Sequence, residues 1–288
     1  MGVVVNTNIS SITASRILSE NRADLEKAME RLASGKRINS AADDAAGMAV
    51  AAQMRADIGS LNQSVRNTND AISLVNTYDG AAAEIESILI RMRELAVQTR
   101  NGTYETADRT NANFEYDALK NEITRIAGVS AFNRMTVGQG SSGGAGGTGV
   151  ADTTFTFYVG SDVAKTGNSI AFAAKALDLN LAVSSGTLNS VADTTNAASA
   201  IATLDDAITE LAANRAQAGA LINRLEHTVS NLMNVSQRLQ EAVSGIEDAD
   251  YAAESANLAR GMVLAQAGTA MLAQANQAPQ YILSLLRG

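Results

Sequence analysis

Few residues of this chain have the types and spacing to do covalent or metal chemistry. Gly160 to Thr166 reads GSDVAKT, which at a glance suits a phosphate cradle. A phosphate loop needs glycine directly before its lysine, and Ala164 stands there with no clear strand-to-helix context, so the stretch reads as a hairpin loop. His227 is the sole histidine and there is no cysteine, which removes disulfides, cysteine-based zinc sites and thiol nucleophiles. His227 also falls off the apolar seam defined by Leu225 and Val229, so it reads as solvent-facing. Asp43–Asp44 and Glu247–Asp248–Asp250 are carboxylate groupings a metal could use, but they read as helix-end charges on solvated or subunit-contact faces. No nucleophile–base pair is recognisable, and neither an enzyme nor a cofactor is expected. Arg91, Glu94 and Gln98 offer recognition instead of catalysis: they lie off the stripe of Met92 and Leu95 and are available to a partner.

Such surfaces need long elements to carry them. The chain has 288 residues, enough for one or two domains with a sizeable core. It carries 22 basic against 30 acidic residues, net charge −8, which argues against nucleic acid as a partner. Aromatic residues are 4%, so the core must rest on aliphatic residues and alanine. Pro279 is the only proline, which permits very long helices before it. No basic-then-apolar leader opens the chain between Met1 and Ser11. No apolar run reaches the ~18 residues of a membrane span; the nearest, Leu258 to Ala278, is broken by Arg260, Gln266, Gln274 and Asn276. Residence in the cytosol and export without a cleaved leader both stay open.

The periodicity is heptad. Steps of three and four from Ile201 give Leu204, Ile208, Leu211, Arg215, Ala218, Ile222, Leu225, Val229, Leu232, Ser236, Leu239, Val243 and Ile246. Only Arg215 and Ser236 break this seam, which predicts a helix of roughly 70 Å and a rod-like molecule. A second run reads Ala51, Met54, Ile58, Leu61, Val65, Thr68, Ile72 and Val75. A third (Ile85, Ile88, Met92, Leu95) is shifted by one, predicting a stutter or mild kink at Tyr78–Asp79–Gly80. A fourth is Tyr116, Leu119, Ile123 and Ile126. The ends carry thinner stripes: Leu18, Leu25 and Leu32 with Ala14 and Ala28, and Leu258, Met262, Ala265 and Leu272. Neither end stripe is able to hold a helix alone in water. Gly138 to Gly149 reads as a flexible loop, and Phe155, Phe157 and Val159 alternate with polar neighbours as a strand that Ser169–Ala173 answers. Asn39–Ser40 offers an N-cap, with Asp43 and Asp44 in the first turn. The expected fold is mainly α, a long antiparallel coiled-coil or helical-bundle rod with a small β-hairpin region in mid-chain.

Ser34–Ala51 (SGKRINSAADDAAGMAVA), Leu61–Ile72 (LNQSVRNTNDAI), Arg91–Gln98 (RMRELAVQ) and Ala275–Arg287 (ANQAPQYILSLLR) together resemble bacterial flagellin. The resemblance covers roughly residues 1–135 and 195–288. Ala131–Met135 reads AFNRM, with Arg134 where the family has glycine, which bears on the local turn.

This resemblance implies a hairpin-shaped chain of three parts. Residues 1–45 with 250–288 would form a terminal inner coiled-coil layer, 46–140 with 190–249 an α-helical rod, and 141–189 a Gly-rich loop and β-hairpin without large outer domains. It implies a secreted, extracellular subunit of a self-assembling helical filament. It implies as partners further copies of itself, a cytosolic export chaperone, the flagellar type III export apparatus, and filament cap and hook-associated junction proteins. Inner-layer contacts would be Leu18, Leu25, Leu32, Leu258, Met262, Leu272, Ile282 and Leu285, and an interlayer signature Arg37, Asn39, Ser40, Asp43 and Asp44. It further implies recognition of the monomer by a vertebrate Toll-like receptor through Arg91, Glu94, Leu95, Gln98 and Glu115. A hook–filament junction protein of the same family, or a chemoreceptor-like cytoplasmic coiled coil, are the alternatives.

Overall fold

The structure, a computed structural model, describes residues 7–138, 153–160, 167–177 and 191–287, with residues 278–287 described as backbone alone. Most of the Gly138–Gly149 loop, residues 161–166 of the phosphate-loop-like stretch, and the side chains of Ile282 and Leu285 lie outside the described residues. The elements run α1 (Ile9–Ser34), α2 (Ala45–Arg100), α3 (Thr106–Val129), β1 (Ala131–Phe132), β2 (Met135–Thr136), β3 (Thr153–Tyr158), β4 (Ser169–Ala174), α4 (Thr194–Glu247) and α5 (Tyr251–Arg287). The fold is mainly helical, as the heptads predict. Its contacts divide into two compact units, residues 1–58 with 237–288, and 59–236.

In the second unit α2 and α4 pack antiparallel. Asn62 meets Ser236, Asp79 meets Arg215, and Arg93 meets Asp205, so one number rises as its partner falls. Both breaks in the α4 seam are explained by these pairs. The Arg215 guanidinium donates to Asp79 Oδ1 (2.9 Å) and to Glu86, and Ser236 Oγ, buried, donates to Asn62 Oδ1 (3.2 Å). Polar groups at seam positions fix register where a uniform apolar seam would tolerate slippage.

The buried stripe of α2 departs from expectation. It runs Leu61, Ser64, Thr68, Ala71, Val75, Tyr78, Ala82, Ile85, Leu89, Met92, Ala96 and Thr99 without a change of phase. The stutter predicted at Tyr78–Gly80 is therefore absent, and α2 is one uninterrupted helix. Alanine, serine and threonine hold six of these twelve places, and their hydroxyls are satisfied within the helix. Thr68 Oγ1 donates to Ser64 O (2.7 Å) and Thr99 Oγ1 to Leu95 O (3.1 Å). Small side chains let helix axes approach closely while carrying no apolar signal.

Helix α3 is held against the end of α2 by Arg109, whose guanidinium donates to Thr99 O (3.0 Å) and Asn101 O (3.2 Å), satisfying carbonyls the last turn leaves open. It buries Tyr116, Ile123 and Ala127. The Tyr116 hydroxyl has no hydrogen-bond partner among the described residues; burial first, then the Asp117 charge, push its phenol well above the usual tyrosine range.

The β3–β4 hairpin pairs Phe155 with Phe172 and Tyr158 with Ser169. Its Ile170, Phe172 and Ala174 are buried, and Phe172 meets Tyr78 edge-on (centroids 5.4 Å, planes 85°). The strands match the alternation read from the sequence. A second hairpin, β1–β2, has no such alternation. Phe132 pairs with Met135, so Asn133 and Arg134 form its turn, at φ 48° and 66°. Two positive φ values define a turn matched to strand twist, where the second residue is best as glycine. Arg134 thus keeps the geometry at a steric cost. Arg134→Gly is expected to stabilise the monomer by roughly 0.5–1 kcal/mol, part of the relief being offset by glycine's greater unfolded freedom. Denaturant melts of both chains check this.

In the first unit α1 and α5 pack antiparallel. Asn8 Nδ2 donates to Ala275 O (2.7 Å) near one end, and Arg31 pairs with Glu254 (3.0 Å) near the other. The contact stripe of α1 is Ser11, Ala14, Leu18, Asn21, Leu25, Ala28 and Leu32, so the leucine heptad faces α5. On α5, Gly261 and Gly268 lie opposite Leu25 and Leu18. A Cβ on Gly268 would stand 3.1 Å from Leu18 Cδ1, so the glycine supplies the hole that the leucine fills.

Candidate functional surfaces

The interlayer signature forms the turn between α1 and α2. Gly35 ends α1 in the left-handed region (φ 71°), its N–H donating to Arg31 O. The backbone then pairs with the α4–α5 junction: Arg37 N–H donates to Glu247 O (2.6 Å), and Ala249 N–H to Gly35 O (3.0 Å). The Arg37 guanidinium donates twice to Ile246 O. Asp43 Oδ2 accepts from the Ser40 N–H (3.0 Å), the Ser40 hydroxyl (3.0 Å) and the Asn39 N–H (3.3 Å). These bonds, those from Ser40 first, hold the Asp43 carboxyl below its ordinary value. Asp44 Oδ1 accepts from Gly47 N–H (2.8 Å), so Asp44 is the N-cap of α2, displacing the expected cap at Asn39–Ser40. Helix α2 starts later than its alanine run suggests because the Asp43 turn uses those residues.

The second acidic grouping is equally structural. Glu247, with its side chain 7% exposed, is paired by Arg55 (3.0 Å) and Lys36 (3.8 Å). Asp248 accepts from Ser244 Oγ (2.5 Å), and Asp250 Oδ1 caps α5 through the Ala252 and Ala253 N–H groups. His227 is exposed. Among the described residues no cluster of three metal-ligating groups occurs, and no helix is long and apolar enough to cross a membrane.

The α2–α3 face brings four of its five sequence-read residues together at the surface. Arg91 Nε donates to Glu115 Oε1 (2.9 Å) across the helices and Nη1 to Glu94 Oε2 (3.0 Å) along α2. Gln98 Nε2 donates to Tyr104 Oη (2.9 Å). All are exposed, so these ion pairs hold side-chain orientation more than they add stability. Leu95 is the exception. It is 2% exposed, packed in the core of the unit, and cannot be a contact; it holds the stripe from which Arg91 and Glu94 project. Nothing in the sequence marks the exposed Phe114 and Val97, which share these helices.

The terminal helices present a different surface. Leu18 and Ala28 are the buried apolar residues described on α1, while Ile9, Ile12, Ile17 and Met29 are exposed. On α5, Leu258 and Leu272 are half-buried in the stripe. Met262 lies off it, 54% exposed, with Tyr251, Val263, Leu264 and Met271 also exposed. Large apolar side chains thus point away from the pair in several directions.

Family models match both helical ends of the chain. The bacterial flagellin N-terminal helical region matches residues 5–142, and the bacterial flagellin C-terminal helical region matches 201–286. The flagellin of Halalkalibacterium halodurans is 42% identical over 99% of this chain and 100% of its own length. The flagellin of Bacillus subtilis is 37% identical over 98% and 99%. A crystal structure of Bacillus cereus flagellin is 34% identical, covering 58% of this chain and 88% of that one at a TM-score of 0.48. With both helical regions matched and relatives aligned nearly end to end, the chain belongs to the bacterial flagellin family, as a non-enzymatic structural subunit of the extracellular flagellar filament.

Proposed function

We propose that residues 1–45 and 250–288 are the assembly element of this flagellin: they fold fully only when docked against the same segments of neighbouring copies. The observation that carries this is the outward apolar surface of α1 and α5, set against how little the pair buries within itself. A two-helix contact resting on Leu18 and Ala28, with Leu25, Leu32, Leu258 and Leu272 only half-buried, is too thin to be stable alone in water. A repeated heterologous contact that does not close gives a helical polymer. Segments that are unfolded before docking also suit passage through a narrow export channel, a chaperone holding the C-terminal segment, and the type III apparatus as carrier. The filament cap and hook-associated junction proteins would meet the same terminal helices. Removal of residues 1–30, or of 260–288, is expected to leave a folded monomer that no longer polymerises in light scattering and electron microscopy. Normal filaments from such chains would sink this reading.

A second role is favoured by the Arg91–Glu94–Glu115 cluster with Gln98. Ordered, exposed charges on two adjacent helices form a surface a receptor reads through charge-assisted hydrogen bonds. We infer that monomers activate the flagellin-sensing Toll-like receptor through it. Reporter cells silent to monomer, or responding equally to Arg91→Ala, would remove the inference.

A further inference from the structure

We propose that Met29 on α1 and Met262 and Met271 on α5 form an oxidation site: sulfoxides at these thioethers stop the chain from joining a filament, and their reduction restores it. The inference rests on the reading that the outward faces of α1 and α5 are covered by other copies.

The residues differ in what surrounds them. Met92 is fully buried in the second unit, and Met48 and Met54 are half-buried. Met29, Met262 and Met271 are 43%, 54% and 64% exposed, each lying off the stripe along which α1 meets α5. Within the described unit these side chains are open to a small oxidant, yet on the proposed reading they lie on the faces that assembly buries. Methionine suits such a face because its flexible, polarisable side chain fills irregular gaps between copies.

The chemistry is an oxygen-atom transfer from hydrogen peroxide. A sulfur lone pair attacks one peroxide oxygen, the O–O bond breaks, and the hydroxide released takes up the remaining proton to leave as water. The thioether is oxidised to a sulfoxide while the peroxide is reduced. A strongly hydrogen-bonding S=O then replaces an apolar sulfur, and burying it without a donor is unfavourable. The monomer loses little, because these side chains are solvated there. The full cost falls on docking. A sulfoxide reductase reverses the step with a dithiol as reductant, the oxygen leaving as water while the dithiol is oxidised to a disulfide.

Met135 and Met233, also exposed but in the second unit, supply the control. The full-length monomer is treated with dilute hydrogen peroxide, sulfoxides are mapped by peptide mass spectrometry, and assembly is followed by light scattering. Oxidised protein is expected to need at least roughly tenfold more chain to form filaments, the equivalent of one poorly buried polar group. Oxidised M135L/M233L should lose assembly equally, oxidised M29L/M262L/M271L should keep it, and reductase treatment should restore the wild type. Normal assembly of protein carrying all three sulfoxides would overturn the proposal. So would an equal loss in the triple variant, or a loss that the reductase does not reverse although mass spectrometry shows the thioethers regenerated. Normal polymerisation of the truncated chains would instead overturn the parent reading, so the two failures are told apart.

Discussion

Leu18→Ala is expected to leave the melting of dilute monomer unchanged and to raise the concentration at which filaments form by about a hundredfold. Leu18 is the large buried side chain described on α1, and it fills the space that Gly268 leaves open. Truncating a buried leucine costs about 3 kcal/mol, through lost transfer energy and the cavity left behind. At about 1.4 kcal/mol per tenfold, that is two orders of magnitude in an equilibrium constant. The cost is felt only in a state where the leucine is buried. If α1 and α5 dock only in the polymer, the monomer melt has nothing to lose and assembly bears the whole effect. Calorimetry of monomer beside light scattering of polymerising chain separates the two. A fall in monomer melting temperature would show that the pair is already formed in the free chain.

The reverse pattern is expected at Leu211→Ala or Ile85→Ala. Both side chains are fully buried in the second unit, in the core that includes Leu89, Tyr116 and Leu204. Here the cavity opens in a self-sufficient core, so monomer stability should drop by about 3 kcal/mol. For a unit of this size that lowers the melting temperature by about 6–12 °C. Near-wild-type melting would mean that this core does not carry the cooperative transition of the monomer.

Much of this division is written in the chain. The leucine heptad of α1 forms the stripe that meets α5, because leucine at every seventh place leaves one coherent face, but whether α5 or another copy covers that face is not written in its spacing. The β3–β4 hairpin follows its alternation of phenylalanine and threonine. The unbroken phase of the α2 stripe is hidden in the sequence because five of its positions are Ser64, Ala71, Ala82, Ala96 and Thr99, residues that pack by being small. The larger apolar residues beside them carried the periodic signal into a false phase shift. Arg215 and Ser236 registered as breaks, since no pattern along one helix shows Asp79, Glu86 and Asn62 on another. Leu95 lies in the stripe where its apolar side chain and spacing put it, and only the family resemblance sets it among the recognition residues. Asn39–Ser40 has the residue types of an α2 cap, but Asp43 draws both into its own turn and leaves Asp44 as the cap. The β1–β2 turn is marked in the sequence only by the family resemblance, since Arg134 occupies a conformation that glycine would have announced.

Hydrogen exchange on dilute monomer, read segment by segment, bears most directly on the division of labour between the two units. Amides of α1 and of α5 should exchange at close to unfolded rates, while those of residues 59–100, 106–129 and 194–236 stay protected. The terminal amides should gain protection once the chain is polymerised. Protection of α1 and α5 in the free monomer equal to that of α2 would contradict the account.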